Sequence, residues 1–161
     1  MKVYIVRHGE VLHNALKIYN NENEDLNENG VKQAEELKYK IKDLEFDVII
    51  SSPLIRAKHT AEIINLKNKD ILIDNRLEER NPEDLSGQPL EVTNREEYWN
   101  YYTEIQYGTS ENIQEFFKRV YNFLDELKNK DYENVLIVAH SGVSKAFSGY
   151  FEGIQDGKFL N

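Results

Sequence analysis

Two short apolar runs stand near opposite ends of the chain, Val3-Tyr4-Ile5-Val6 and Val135-Leu136-Ile137-Val138-Ala139. Neither alternates with polar residues. A strand made from either is therefore buried on both faces, as in a parallel sheet covered by helices on each side. Residues 48–50 and Ile71–Ile73 read as two more strands. Between the strands lie helical patterns. Val31, Ala34, Leu37, Ile41 and Leu44 form one apolar stripe, with Asn27 placed as N-cap. A second helix is predicted from Leu54 to about Ile64, just after Pro53. A third runs from about Glu111 to Lys128, with Ser110 as N-cap and Ile113, Phe117, Val120, Phe123, Leu124 and Leu127 on its buried side. A fourth follows Gly142 through Ala146 to Phe151. This alternation predicts an α/β fold, a three-layer α/β/α sandwich with a mostly parallel central sheet and right-handed crossovers.

A chain of 161 residues, 40% of them hydrophobic, suits one domain over residues 1–161. Residues 80–109 are polar, acidic and dense in aromatics (Tyr98, Trp99, Tyr101, Tyr102, Tyr107), and read as an insertion, either a substrate lid or a segment packed on itself. The polar stretch 20–29 reads as a loop. A net charge of -9 argues against nucleic acid and anionic membranes as partners, since both are bound by clustered Lys and Arg. No apolar run is long enough to span a bilayer, and the chain enters its first strand without a signal-peptide pattern. With no Cys, disulfides, thiolate catalysis and Cys-ligated zinc are excluded, and a reducing cytoplasm is the natural location.

Open α/β sheets hold ligands beyond the carboxyl ends of their strands. The residues following each predicted strand are Arg7-His8-Gly9-Glu10, Ser51-Ser52-Pro53-Leu54-Ile55-Arg56, Leu77-Glu78-Glu79-Arg80 and His140-Ser141-Gly142. Imidazoles and guanidiniums would converge on one rim, which suits a phosphoryl group. Arg donates paired N–H bonds to phosphate oxygens, and a neutral imidazole is a competent nucleophile toward phosphorus.

These segments resemble, in order, the motifs of the histidine phosphatase (phosphoglycerate mutase-like) superfamily. Arg7-His8-Gly9-Glu10 resembles its signature, with Asn14 where many members carry Asn. Residues 26–34 resemble L-T-x-x-G-x-x-Q-A, with Asn27 for Thr, and residues 51–61 resemble S-S-P-L-x-R-A-x-x-T-A throughout. Leu77-Glu78-Glu79-Arg80 resembles L-x-E-R, which selects Glu79 over Glu78. Residues 138–143 resemble the second-histidine motif, with Ser141 where Gly is frequent.

The resemblance implies a phosphoglycerate mutase-like fold and a metal-independent, cofactor-free phosphomonoesterase of the histidine acid type. His8 would be the transiently phosphorylated nucleophile, while Arg7, Arg56 and His140 neutralise phosphoryl oxygens. Glu79 would act as general acid, then base. Asn14 and Ser141 would add phosphate or substrate contacts. His59 is read as a helix residue packing near the site, and His13 as a loop residue with substrate contact left open. Arg76, Arg95 and Arg119 are read as surface or ion-pair residues, while Arg80 is left between structure and substrate. Three departures stand out. Glu83 replaces a Gly expected four residues after the carboxylate, which predicts an altered loop path and more negative charge in the site. Ser110-Glu111-Asn112 replaces G-E-S. The chain also stops at Phe159-Leu160-Asn161 where relatives continue into a helix and a last strand: either it is a truncated product, or the sheet is one edge strand shorter and leaves an edge for self-association; monomer and homodimer both stay open.

The expected partner is a small phosphorylated metabolite. Few bases among many acids in residues 80–109 count against a mutase and polyanionic substrates. The aromatics there favour a leaving group with an apolar or ring face. A protein phosphohistidine phosphatase, a mutase-type phosphotransferase and a catalytically silent phosphoryl-ligand binding protein are the alternatives.

Overall fold

The computed structural model describes residues 1–154. The end of the chain, where the edge and truncation expectations fall, lies outside the described residues. Four strands form one sheet: β1 (Lys2–Arg7), β2 (Val48–Ser51), β3 (Ile71–Ile73) and β4 (Asn134–Ala139), in the order β1-β4-β2-β3 with every pairing parallel. Around it lie α1 (Leu12–Leu16), α2 (Glu28–Lys40), α3 (Ile55–Ile64), α4 (Arg95–Tyr98), α5 (Ile113–Leu127) and α6 (Ser141–Glu152). This is the expected phosphoglycerate mutase-like α/β architecture.

Strand periodicity divides the core into two. Val48, Ile50, Val135, Ile137 and Ala139 face one side and pack with Phe117, Val120 and Phe147 of α5 and α6. The intervening residues Ile49, Leu136 and Val138 face the other side, against Ala34, Ala57 and Ala61 of α2 and α3. Side chains alternate across a strand, so an apolar run without alternation is what a sheet covered on both faces requires. On α5 the spacing holds as read, and Phe116 joins it, fully buried. Each such side chain contributes about 1.5–3 kcal/mol by leaving water.

Three boundaries differ from expectation. The α2 stripe continues through Ile41 and Leu44, but the helix ends at Lys40. The following turns still deliver both residues to the core, so apolar spacing outlasts the helix. The N-cap of α5 is Asn112 rather than Ser110. Its side chain accepts from Gln114 N at 2.9 Å and Glu115 N at 3.1 Å, because it is the residue next to the first turn. Ser110 is buried instead and donates to Tyr107 O at 2.6 Å. The short helix α1 replaces what read as loop around His13.

Residues 80–109 form 3₁₀ turns and α4. Tyr98 and Trp99 are buried there, against Phe116 and Tyr19, so this part of the aromatic cluster is wall and core rather than a raised lid. Tyr102 is exposed.

Glu83 has φ 48, the left-handed region that glycine occupies without strain. The backbone thus takes a glycine-compatible course at this position. The expected extra negative charge does not reach the cleft described below: the Glu83 carboxylate accepts from Asn81 Nδ2 at 2.8 Å and is not on the cleft wall. Glu83→Gly is expected to raise unfolding stability by up to about 1 kcal/mol, since a non-glycine residue pays about 1–2 kcal/mol in this conformation and glycine pays part of that back in entropy. Urea denaturation of the two proteins checks it; a variant of lower stability contradicts it.

Candidate active site

The strand register levels three carboxyl ends. Arg7 of β1 lies opposite Ala139 of β4, and Ser51 of β2 opposite Val138. The next residue of each strand closes the ladder: His8 N donates to Ala139 O at 3.0 Å and Ser52 N to Val138 O at 3.0 Å. His8, His140 and Ser52 are thereby side by side. The two imidazole centroids are 5.1 Å apart, and His140 Nε2 is 2.8 Å from Ser52 Oγ.

The bond from His8 Nδ1 to Gly9 O, 2.6 Å, has only one chemical sense. A carbonyl accepts, so Nδ1 carries the proton and Nε2 keeps the lone pair. Burial, then the Arg56 guanidinium, hold the His8 pKa down to about 3, against an opposing contribution from Gly9 O. Burial, followed by His8 and the nearby arginines, likewise pushes His140 well below its ordinary value. Both rings are neutral near pH 7. His140 Nδ1 is buried with no partner among the described residues.

Gly9 makes this approach possible. Its Cα lies against the backbone of Gly30 in the first turn of α2, and a Cβ on either would overlap the other segment. That packing explains two of the sequence motifs at once: the loop after His8 is pressed onto the start of α2.

A cleft of about 880 Å³ opens above the strand ends. Of the residues singled out from sequence, Arg7, Asn14, Arg56, Glu79 and Ser141 line it, while His8 and His140 pack beneath, 6% and 0% exposed. Arg7 is tied into the β1–β4 ladder by its backbone, and its side chain has no hydrogen bond or ion pair with the described residues. Arg56 is buried, with one donor on Asn21 O at 2.7 Å and its Nε unpartnered. Asn14, on α1, accepts from Val11 N at 3.2 Å. Ser141 opens α6.

Glu79 enters from the loop after β3. Its carboxylate accepts from Arg80 N at 2.9 Å and from Gly142 N at 3.0 Å, at the N-terminus of α6. Gly142 has no space for a side chain: a Cβ there would overlap the Glu79 carboxylate and the Trp99 ring. Gly142→Ala is therefore expected to displace Glu79 and lower turnover at least about tenfold while the fold persists. Steady-state kinetics beside a circular dichroism spectrum reads both; unchanged kcat contradicts it.

Residues read as ordinary have sharper places. Arg119 pairs with the Glu111 carboxylate at 2.7 and 2.9 Å and donates to the carbonyls of Arg76, Glu78 and Glu79 at 2.8, 2.9 and 3.0 Å, so it holds the loop that presents Glu79. Arg80 is committed to the carbonyls of Glu111 and Tyr98 and lies on the Tyr98 ring, yet also reaches the cleft. Arg95, read as a surface residue, lines the cleft, as do Asn20, Asn21 and Glu22 of the polar loop. Lys145 and Ser144 were missed; they follow Ser141 one turn on along α6, a spacing visible in the sequence once that helix is oriented. His59 instead pairs with Asp25 at 2.8 Å, part-exposed, and His13 lies 3.0 Å from Tyr19 O, off the cleft wall. Among the described residues no group of three His, Cys, Asp or Glu is placed to hold a metal ion, and no helix is long and apolar enough to cross a membrane.

Two neutral imidazoles, two guanidiniums and a carboxylate at the ends of adjacent parallel strands make a cradle suited to a phosphoryl group. The chain belongs to the histidine phosphatase superfamily (branch 1), whose family model matches residues 3–161. It is 36% identical to an uncharacterized phosphatase of Bacillus subtilis, over 89% of this chain and 74% of that protein. It is 29% identical to phosphoserine phosphatase 1 of Hydrogenobacter thermophilus, over 99% of this chain and 80% of that protein. Among solved structures, the alpha-ribazole phosphatase of Shigella flexneri superposes with a TM-score of 0.80 at 28% identity, covering 92% of this chain and 78% of that one.

Proposed function

We propose that the protein is a metal-independent phosphomonoesterase of the cytoplasm, hydrolysing a small phosphorylated metabolite through a phosphohistidine on His8. The observation that carries this reading is the pair of imidazoles 5.1 Å apart beneath a cleft that also holds Arg7, Arg56 and Glu79. The lone pair on His8 Nε2 attacks phosphorus as the ester P–O bond breaks, and the protonated form of Glu79 gives its proton to the leaving oxygen. Arg7, Arg56 and His140, with Asn14 and Ser141, take the phosphoryl oxygens; the unpartnered Nε–H of Arg56 donates to them, as does the unpartnered Nδ1 of His140 in the tautomer whose Nε2 accepts from the Ser52 hydroxyl. The Glu79 carboxylate then takes a proton from water, which attacks phosphorus, and the P–N bond breaks with its electron pair returning to His8. Leu54, Leu90 and Trp99 offer the leaving group apolar surface.

The phosphatase names of the relatives support hydrolysis over the silent alternative, as does a Glu79 carboxylate fixed by two backbone N–H groups. Turnover of an aryl phosphate, measured at mildly acidic to neutral pH with excess chelator, is expected to persist in the wild type and vanish in His8→Ala. Turnover surviving in the variant would mean another nucleophile, and turnover abolished by chelator would mean a required metal.

A further inference from the structure

His8 and His140 are chemically alike and lie side by side, yet the reaction asks opposite things of them. One ring must show a lone pair to phosphorus, and the other a proton to a phosphoryl oxygen. A neutral imidazole carries one of each, so the partner of its second nitrogen decides which the site receives. For His8 that partner is Gly9 O, which leaves the lone pair on Nε2. For His140 it is Ser52, whose Oγ lies 2.8 Å from Nε2.

A hydroxyl can donate or accept, so the sense of this second bond depends on what else the hydroxyl meets. Ser52 and His140 are both 0% exposed, and bulk solvent completes neither. Ser52 Oγ has one further partner among the described residues, Leu54 N at 3.3 Å, and a backbone N–H only donates. If Nε2 donated as well, the oxygen would receive two protons while its own found no acceptor, and a buried donor left unpaired is costly. If the hydroxyl donates to Nε2 instead, each group from Leu54 N to the imidazole is matched. The ring proton then sits on Nδ1, the nitrogen that is buried without a partner. The charges of Arg7 and Arg56 are felt at this ring as they are at His8, which places it in the same cradle. A lone pair on Nδ1 would repel an anionic oxygen there, whereas an N–H binds it.

We propose that Ser52 is a positioning residue: its hydroxyl donates to His140 Nε2, holds the ring as the Nδ1–H tautomer, and so makes His140 a phosphoryl donor rather than a second nucleophile. The purpose of this device rests on the phosphoryl-transfer reading; the tautomer itself does not. Strand pairing delivers the hydroxyl. Ser52 follows β2 and His140 follows β4, and Ser52 N donates to Val138 O at 3.0 Å, so the two residues leave adjacent parallel strands at one level.

The tautomer is read by long-range ¹H–¹⁵N correlation of the ring nitrogens near neutral pH, with His140 assigned through its side-chain carbons. The wild type is expected to show the proton on Nδ1 and none on Nε2, and Ser52→Ala to show the Nε2–H form. A proton on Nε2 in the wild type overturns the proposal, and that observation needs no variant to fold. A tautomer unchanged in Ser52→Ala overturns the role of Ser52. The consequence is read by calorimetry with inorganic phosphate. Ser52→Ala should weaken binding about tenfold when His140 is present and less than about twofold in a His140→Ala background, because the hydroxyl acts through the ring. A loss of equal size in both backgrounds is a structural effect and overturns the positioning role. His8-dependent hydrolysis is measured separately: if it is absent while the tautomer and the phosphate coupling hold, the phosphatase reading fails and the role of Ser52 stands.

Discussion

Glu79→Gln, given an aryl phosphate, is expected to accumulate a phosphoenzyme that is labile in acid and stable in alkali, and His8→Ala to form none. The two halves of the reaction ask different things of Glu79. An aryl oxide leaves without needing a proton, so phosphorylation of His8 proceeds in the variant. Hydrolysis of the phosphohistidine still needs a base for the attacking water, and the amide cannot serve. General acid–base groups contribute about 10²–10⁴-fold, so the second step slows by that factor and the intermediate fills. Turnover should fall correspondingly, and for an alkyl ester, whose leaving group requires the proton, both steps should fail. Replacing His8 removes the lone pair on which the first bond depends, and the loss is expected to reach at least about 10⁴-fold. Rapid quench with labelled phosphate distinguishes these outcomes. A slow Glu79→Gln enzyme with no accumulated phosphoenzyme would remove the water-activating role. A labelled His8→Ala would remove the nucleophile.

Acid should destabilise the protein well above the range in which its carboxylates titrate. The His8 pKa is about 3 in the folded protein, against an ordinary value of 6.5 for an unfolded chain. Above 6.5 both states are neutral and the stability is fully present. As pH falls, the unfolded chain takes up a proton that the folded site refuses, so the unfolded state gains, and the loss continues until the folded ring also protonates near 3. From about pH 7 to about pH 5 this single group is expected to cost about 2 kcal/mol of unfolding stability, starting from its folded value near 3. His140, shifted in the same direction by its burial, adds a loss of the same sign. Urea denaturation at the two pH values measures the sum, and in His8→Ala the pH dependence should shrink by the His8 share. A stability that does not change between them would mean that the imidazoles are charged in the fold. Phosphate bound against the rings should protect on the acid side, since a neighbouring dianion favours the protonated imidazole.

β2 and β4 were legible because a strand buried on both faces leaves an unbroken apolar run; β1 and β3, the sheet edges, keep apolar runs although β1 is half-buried and Leu72 and Ile73 of β3 are exposed. α5 was legible because Ile113, Phe117, Val120 and Phe123 keep helical spacing. The chemical residues were legible for a related reason. A site at strand ends places its side chains immediately after those runs in sequence, as Arg7-His8, Ser51-Ser52 and His140-Ser141 are placed. Local signals of this kind do not show where a helix stops when the turn after it still faces the core. They also do not separate Ser110 from Asn112 as a cap, since both residue types suit the role. Which charges of residues 80–109 reach the cleft was illegible for a different reason. Composition counts every acid in residues 80–109 equally, whereas a field depends on which of them reach the cleft, and only Arg80 and Arg95 among its charges do.

By itself, then, the sequence determined the α/β class, the parallel strands and the set of residues at their ends, because each follows from hydrophobic pattern and chain order over a few residues. Tertiary structure alone decided that His8 is neutral with its proton on Nδ1, that Arg119 holds the Glu79 loop, that Gly142 must be bare for the carboxylate to dock, and that the Ser52 hydroxyl meets His140 Nε2. Each of those depends on burial or on contacts between residues far apart in the chain. The free energies involved arise from desolvation and from charges a few ångströms apart, and both are set by distances in space rather than along the chain.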